Sequence, residues 1–208
     1  MDDVTFYIKA FITLLVLVNP LEGVPVFLAA TQSANPELTK KISRTAPVAI
    51  VIILLASLFL GSALLKLFGI SAGAFQTGGG AILFLIAVKM VLGPGKSSFE
   101  EMSGGALSPS FAVVPLAIPI FAGPGAINGA VLYGTRAHSF FEMGILAGVI
   151  VLVGLAAYLS LRAAMPIVRY IKETGINIAT RVMGLIIAAI SVEMMAHGIA
   201  AMFPPRFS

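Results

Sequence analysis

The 208-residue chain is 59% hydrophobic and 11% charged, against roughly 45–50% and 25% in ordinary globular chains. So few charges cannot cover a soluble fold of this size, and so apolar a chain is not disordered. The absence of cysteine excludes a disulfide scaffold and a thiolate metal centre, and the net charge of +4 is scattered rather than gathered into a patch for nucleic acid.

Six segments are predicted to cross a bilayer, whose core asks for about 20 apolar residues per helix. The first, 4–31, is interrupted only by Lys9 and Glu22. The second, 44–68, contains the 21 uncharged residues between Arg44 and Lys66, and the third, 70–92, the 22 between Lys66 and Lys89. A connection over 93–110 follows. The fourth, 111–135, lies within the 34 uncharged residues from Met102 to Thr135. The fifth, 140–165, holds the 19 between Glu142 and Arg162, and the sixth, 178–203, is interrupted by Arg181 and Glu193. Strands of about ten residues with alternating polarity are not seen, so the expected class is an all-α membrane protein. The start Met1-Asp2-Asp3 is acidic and does not read as a signal peptide.

Lys and Arg in the connections orient such a chain. Lys40, Lys41, Arg44, Lys89, Lys96, Arg162, Arg169, Lys172 and Arg181 fall on one side, and Lys9, Lys66, Arg136 and Arg206 on the other. Nine against four places the first side in the cytoplasm and both termini outside it, in a multi-pass protein of the cell (inner) membrane.

The chain repeats itself. Asn19-Pro20-Leu21-Glu22-Gly23-Val24-Pro25 in the first span is matched, 99 residues on, by Ile118-Pro119-Ile120-Phe121-Ala122-Gly123-Pro124 in the fourth. Gly80…Ala87-Val88-Lys89-Met90 in the third span is matched, 104 residues on, by Gly184…Ser191-Val192-Glu193-Met194 in the sixth. Residues 1–92 and 111–208 therefore read as two copies of a three-span unit. With an odd number of spans per copy, the second inserts upside down, which is the inverted-repeat plan of secondary transporters.

Two prolines five residues apart, with glycine between, unwind about one helical turn. In lipid that strands backbone groups at several kcal/mol each, so such a break is tolerated only where it is buried in protein or lines a wet cavity. Each of these two spans is expected to be a discontinuous helix whose second half begins near Pro25 or Pro124. The free amides and positive end of that half-helix suit an anionic group such as a carboxylate, and Gly23, Gly123 and Gly125 allow close approach. Simple proline kinks are the plainer alternative.

The segments Asn19-Pro20-x-x-Gly23-x-Pro25-x-Phe27 and Pro115-Leu-Ala-Ile-Pro119-Ile-Phe-Ala-Gly123-Pro124-Gly125-Ala126-Ile127, with Gly78-Gly79-Gly80 of the third span, resemble the MarC family of inner-membrane proteins over essentially the whole chain. The resemblance implies six spans and transport of small neutral amino acids such as glycine, alanine or serine. Family members often carry glycine where this chain has Glu22.

Intramembrane polar residues complete the reading. Glu22 is a candidate to carry a coupling proton or to hold a substrate ammonium; its alternative is a hydrated acid at a cavity mouth. Asn19 offers a donor and an acceptor to a zwitterion, or caps the broken helix. Glu193 is the second proton-coupling candidate, and Lys89 is expected to snorkel. Asn128 lines the same cavity or bonds a neighbouring helix. Thr77, Gly78 and Gly79 allow the third span to pack closely on the site. Gly125-x-x-x-Gly129 and Gly144-x-x-x-Gly148 are small-residue faces expected to pack helices within the chain, with a homo-oligomer as the alternative. The expected binding set is Asn19, Pro20, Glu22, Gly23, Pro25, Val26, Pro119, Gly123, Pro124, Gly125, Ala126 and Asn128. No His-Glu-x-x-His, P-loop, dinucleotide fingerprint or Ser–His–Asp set occurs, so no enzyme, metal or cofactor is expected. The expected function is secondary transport of a small neutral amino acid, coupled to protons in preference to sodium, with membrane lipid as the other partner. A channel or facilitator for a small polar solute, and a non-transporting membrane scaffold or sensor, are the alternatives.

Overall fold

The computed structural model describes residues 3–21, 23–31, 34–92, 117 and 121–203. Among these, regular structure is helical: α1 (Asp3–Val18), α2 (Gly23–Thr31), α3 (Pro36–Leu67), α4 (Ala72–Leu92), α5 (Pro124–Arg136), α6 (Phe140–Arg162) and α7 (Ala164–Met202). Four helices are long and apolar enough to cross a membrane, namely α3, α4, α6 and the Asn177–Met202 part of α7; Val4–Val18 is a shorter apolar helix. The part of the fourth predicted span before residue 121 lies, apart from Ala117, outside the described residues, as does the 93–110 connection.

Local chemistry sets the boundaries. Asn35 caps α3 with its side-chain oxygen, which accepts from Leu38 N–H at 2.7 Å, and Pro36 occupies the first turn, where its missing amide costs nothing. At 32 residues α3 is about 48 Å long, well beyond a ~30 Å hydrocarbon core, so it is not confined to the predicted 44–68. Its charged first turns, with Lys40, Lys41 and Arg44, account for the extra length. Ser139 starts α6: its hydroxyl accepts from Glu142 N–H at 3.2 Å, and the Glu142 carboxylate accepts from His138 N–H at 2.7 Å, a near relative of the capping box. Only Ala163 separates α6 from α7. The stretch carrying Arg169 and Lys172 is therefore helical, and the break falls at Lys172, with φ 56° and ψ 169°.

The first four helices pack chiefly on the last three: α3 on α5 and α6, α1 on α6 and α5, α2 on α7 and α6, and α4 on α7 and α5. The most extensive of these contacts is α4 against α7, and small residues seven apart make it. Gly73, Gly80 and Ala87 of α4 stand opposite Gly198, Ser191 and Gly184 of α7, so the two helices run antiparallel in constant register. A Cβ on Gly73 would lie 2.8 Å from the Gly198 carbonyl oxygen, one on Gly80 2.9 Å from that of Ser191, and one on Gly184 3.1 Å from that of Ala87. The backbones touch, which only small residues permit. Gly134 of α5 likewise meets the Leu58 backbone of α3. The outer surface keeps large apolar side chains exposed, among them Ile52, Leu60, Leu85 and Leu152, a composition suited to lipid.

The two small-residue faces behave differently. Gly125 packs on Leu83, and Gly129 on Leu17 and Leu14. Gly144 and Gly148 are exposed and have open space where a Cβ would stand. No described residue covers this second pair: α6 turns its bulky Leu146, Val149, Ile150 and Val153 inward and leaves those glycines exposed among the described residues.

Candidate substrate site at the helix breaks

The first span is interrupted. Asn19 takes the left-handed conformation with φ 44°, which Asn tolerates better than most residues. It ends α1, its own N–H donating to Leu15 O at 3.0 Å. Asn19 and Pro20 are buried, and helix resumes at Gly23. The second half thus starts two residues before Pro25, which sits in its first turn, where proline is tolerated. Glu22, the residue expected to carry a proton, lies outside the described residues.

At the second expected break the described residues are Ala117 and those from Phe121 onward. Ala122 N–H donates to Ala117 O at 2.7 Å, Gly123 is extended at φ −73° and ψ 174°, and α5 begins at Pro124. Pro119 lies outside the described residues. Gly123 has no side chain with which to cap the helix. The amides of Gly125 and Ala126, both in buried residues, therefore open α5 without a side-chain acceptor. A buried helix start of this kind calls for another partner.

The breaks touch each other. The space a Gly23 side chain would fill is taken by the ring of Phe121, which is fully buried. Val26 and Ala126, in the first turns of the two half-helices, are buried as well. Pro124 is exposed.

Asn128, one turn into α5, is 2% exposed and reaches across to α4. Its Nδ2 donates to Phe75 O at 3.0 Å, while its Oδ1 has no hydrogen-bond partner among the described residues. Gly79 makes the room, because any side chain there would collide with the Asn128 amide. A buried acceptor without a donor costs about 1–3 kcal/mol. Of the supporting residues, Gly79 thus holds Asn128, and Thr77 donates its hydroxyl to Gly73 O at 2.9 Å beside Gly198, while Gly78 meets nothing within 4 Å. Gly125 also has a packing role. Its backbone is helical, and the space beside it is filled by Leu83, so the glycine there serves helix packing.

Glu193 stands elsewhere. It is exposed and lines a cavity of about 570 Å³ at the end of the bundle where α1 begins and α7 finishes, together with Lys9, Arg136, Tyr133, Gln76 and His197. The sequence reading did not assemble this group. Its signal was present: Gly129, Leu132, Tyr133 and Arg136 in α5, and Ile190, Glu193, Met194 and His197 in α7, each follow the i, i+3, i+4, i+7 spacing of one helix face.

The profile described as "MarC family integral membrane protein" matches residues 4–203. The chain is 40% identical over 205 residues to the UPF0056 membrane protein YhcE of Escherichia coli, covering 97% of this chain and 95% of that one. It is 34% identical over 199 residues to the UPF0056 membrane protein MJ1677 of Methanocaldococcus jannaschii, covering 95% and 97%, and 32% identical over 196 residues to a UPF0056 membrane protein of Aquifex aeolicus, covering 93% and 92%. None of these relatives carries an enzymatic name. No solved structure gives a significant match. Whole-length agreement with bacterial and archaeal relatives, on a chain with several membrane-crossing helices, makes it a multi-pass integral membrane protein of the MarC family.

Proposed function

We propose that the protein is a secondary transporter of a small neutral amino acid, built as two inverted three-span repeats, 1–92 and 111–208, and that the substrate sits between the two helix breaks. The observation that carries the reading is the meeting of the breaks, with Gly23 of one against Phe121 of the other. Irregular backbone at that depth is stable only where it is buried in protein or lines a wet cavity. In this reading the amides of Gly125 and Ala126 receive the substrate carboxylate, and the unpaired Oδ1 of Asn128 accepts from its ammonium.

The α4–α7 pair supports the repeat. Shifting α4 by the 104-residue offset carries Gly80 to Gly184 and Ala87 to Ser191. The contact of Gly80 with Ser191 then exchanges with that of Ala87 with Gly184, as a two-fold axis between the helices requires. Charge asymmetry puts both termini outside the cytoplasm, in the cell (inner) membrane. Glu22 is the first candidate to carry a coupling proton, and Glu193 the second. Counterflow in proteoliposomes tests the function. Labelled alanine should accumulate transiently against an internal load of unlabelled alanine, and saturably. Linear uptake without trans-stimulation would indicate a channel, and no uptake of glycine, alanine or serine would leave a scaffold or sensor.

A further inference from the structure

The cavity at the end of the bundle is walled by three helix faces and floored by a fourth helix. Lys9 and Thr13 stand one turn apart on α1, Tyr133 and Arg136 on α5, and Glu193 and His197 on α7. From α4, Gln76 closes the floor. It is 8% exposed and lines the cavity. Tyr133 shares a hydrogen bond with Thr13 and lies within electrostatic reach of both Arg136 and Glu193, which ties the three walls together.

The charges do not neutralise one another. Neither Lys9, Arg136 nor Glu193 forms an ion pair with a described residue, although all three line one cavity. A simple anion would satisfy the two cations and leave the acid; a simple cation would do the reverse. A molecule with a carboxylate and an ammonium satisfies both at once, and the buried Gln76 amide offers it a donor and an acceptor. The volume, about 570 Å³, falls within the ordinary range for small-molecule sites. It leaves room for a small amino acid with bridging water.

We propose that this cavity is a second, outer binding site for a small zwitterion, with its carboxylate toward Lys9 and Arg136 and its ammonium toward Glu193. The identity of the zwitterion rests on the transport reading; the existence of the site does not. It lies at the end of the bundle that carries Lys9, Lys66 and Arg136.

The chain has no tryptophan, so Phe6→Trp, on the cavity wall beside Tyr133, supplies a single fluorescent reporter. The purified full chain in non-ionic detergent is titrated with alanine, propionate and ethylamine. Alanine should change the emission saturably, and propionate and ethylamine should bind at least tenfold more weakly. Arg136→Gln and Glu193→Gln, each checked for unchanged melting, should weaken alanine at least tenfold, whereas Gly144→Ala, on the open face of α6, should leave the titration as it was. No saturable change overturns the proposal. So does propionate binding as well as alanine, or alanine binding untouched by both cavity variants. A change produced by phospholipid but not by alanine makes the cavity a lipid site and also overturns it. Counterflow in the native protein is scored separately. Titration lost with counterflow intact removes only the outer site, and titration intact with counterflow absent removes only the transport reading.

Discussion

Asn128 and Gly79 act as one unit. The buried Asn128 amide reaches the Phe75 carbonyl only because Gly79 leaves its place empty, and the neighbouring Gly78 faces open space. Gly79→Ala should therefore cost about 1–3 kcal/mol through overpacking. Gly78→Ala should be neutral, or stabilising by up to about 1 kcal/mol, because alanine is the better helix former. Thermal unfolding of the two purified variants, side by side, checks the contrast, and equal melting temperatures would place Asn128 elsewhere. The chain shows three adjacent glycines but not which one faces a partner. That depends on the rotation of α4 about its axis, which its neighbours set. Glu22 is argued from chemistry alone: an acid beside an unwound turn is expensive in lipid unless it has a task. If it carries the coupling proton, Glu22→Gln should abolish pH-driven uptake and leave substrate exchange intact in proteoliposomes. Loss of both would assign it to binding or structure.

Between elements, the contact of α4 with α7 depends on residues whose value is their smallness. Gly80 lies close to the Ser191 carbonyl and the Met195 side chain. Gly80→Leu should force the helices apart and lower the yield of folded, membrane-inserted protein severely. Gly144→Leu, on the open face of α6, should leave yield and melting nearly unchanged. Size-exclusion profiles and melting curves in detergent separate the cases, and a collapse at Gly144 would mean that this face has a partner. Both glycine pairs, 125 with 129 and 144 with 148, carry the same small-residue spacing in the sequence. Only packing distinguishes them, since a spacing marks a face of a helix and not what covers it. The helix ends beside the proline pairs were more legible. Proline removes a backbone donor and collides with the preceding turn wherever the helix is placed, so the end of α1 at Val18 and the start of α5 at Pro124 follow from local covalent chemistry. The resumption at Gly23 rather than Pro25 reflects proline's freedom to occupy any position of the first turn, whose amides have no intrahelical partners.

At the scale of the whole molecule, charge asymmetry predicts both termini outside the cytoplasm. A reporter fused after Ser208 should be active only outside, and a fusion active only in the cytoplasm would invert every loop assignment. Membrane residence, helical class and the four long apolar helices were legible in composition and in the gaps between charges, because a bilayer core imposes length and apolarity on each segment separately. The motifs behind the proposed repeat were visible too, because they recur at fixed offsets along the chain. Tertiary structure alone decided which residues meet across those segments. It set Gly23 against Phe121, lodged the Asn128 amide beside Gly79, filled the space at Gly125 with Leu83 and gathered Lys9, Arg136 and Glu193 around one cavity. These groups come from helices far apart in the chain, and their meeting depends on helix rotation and crossing. Those are fixed by the summed packing of many side chains, for which no single stretch of sequence carries a signal.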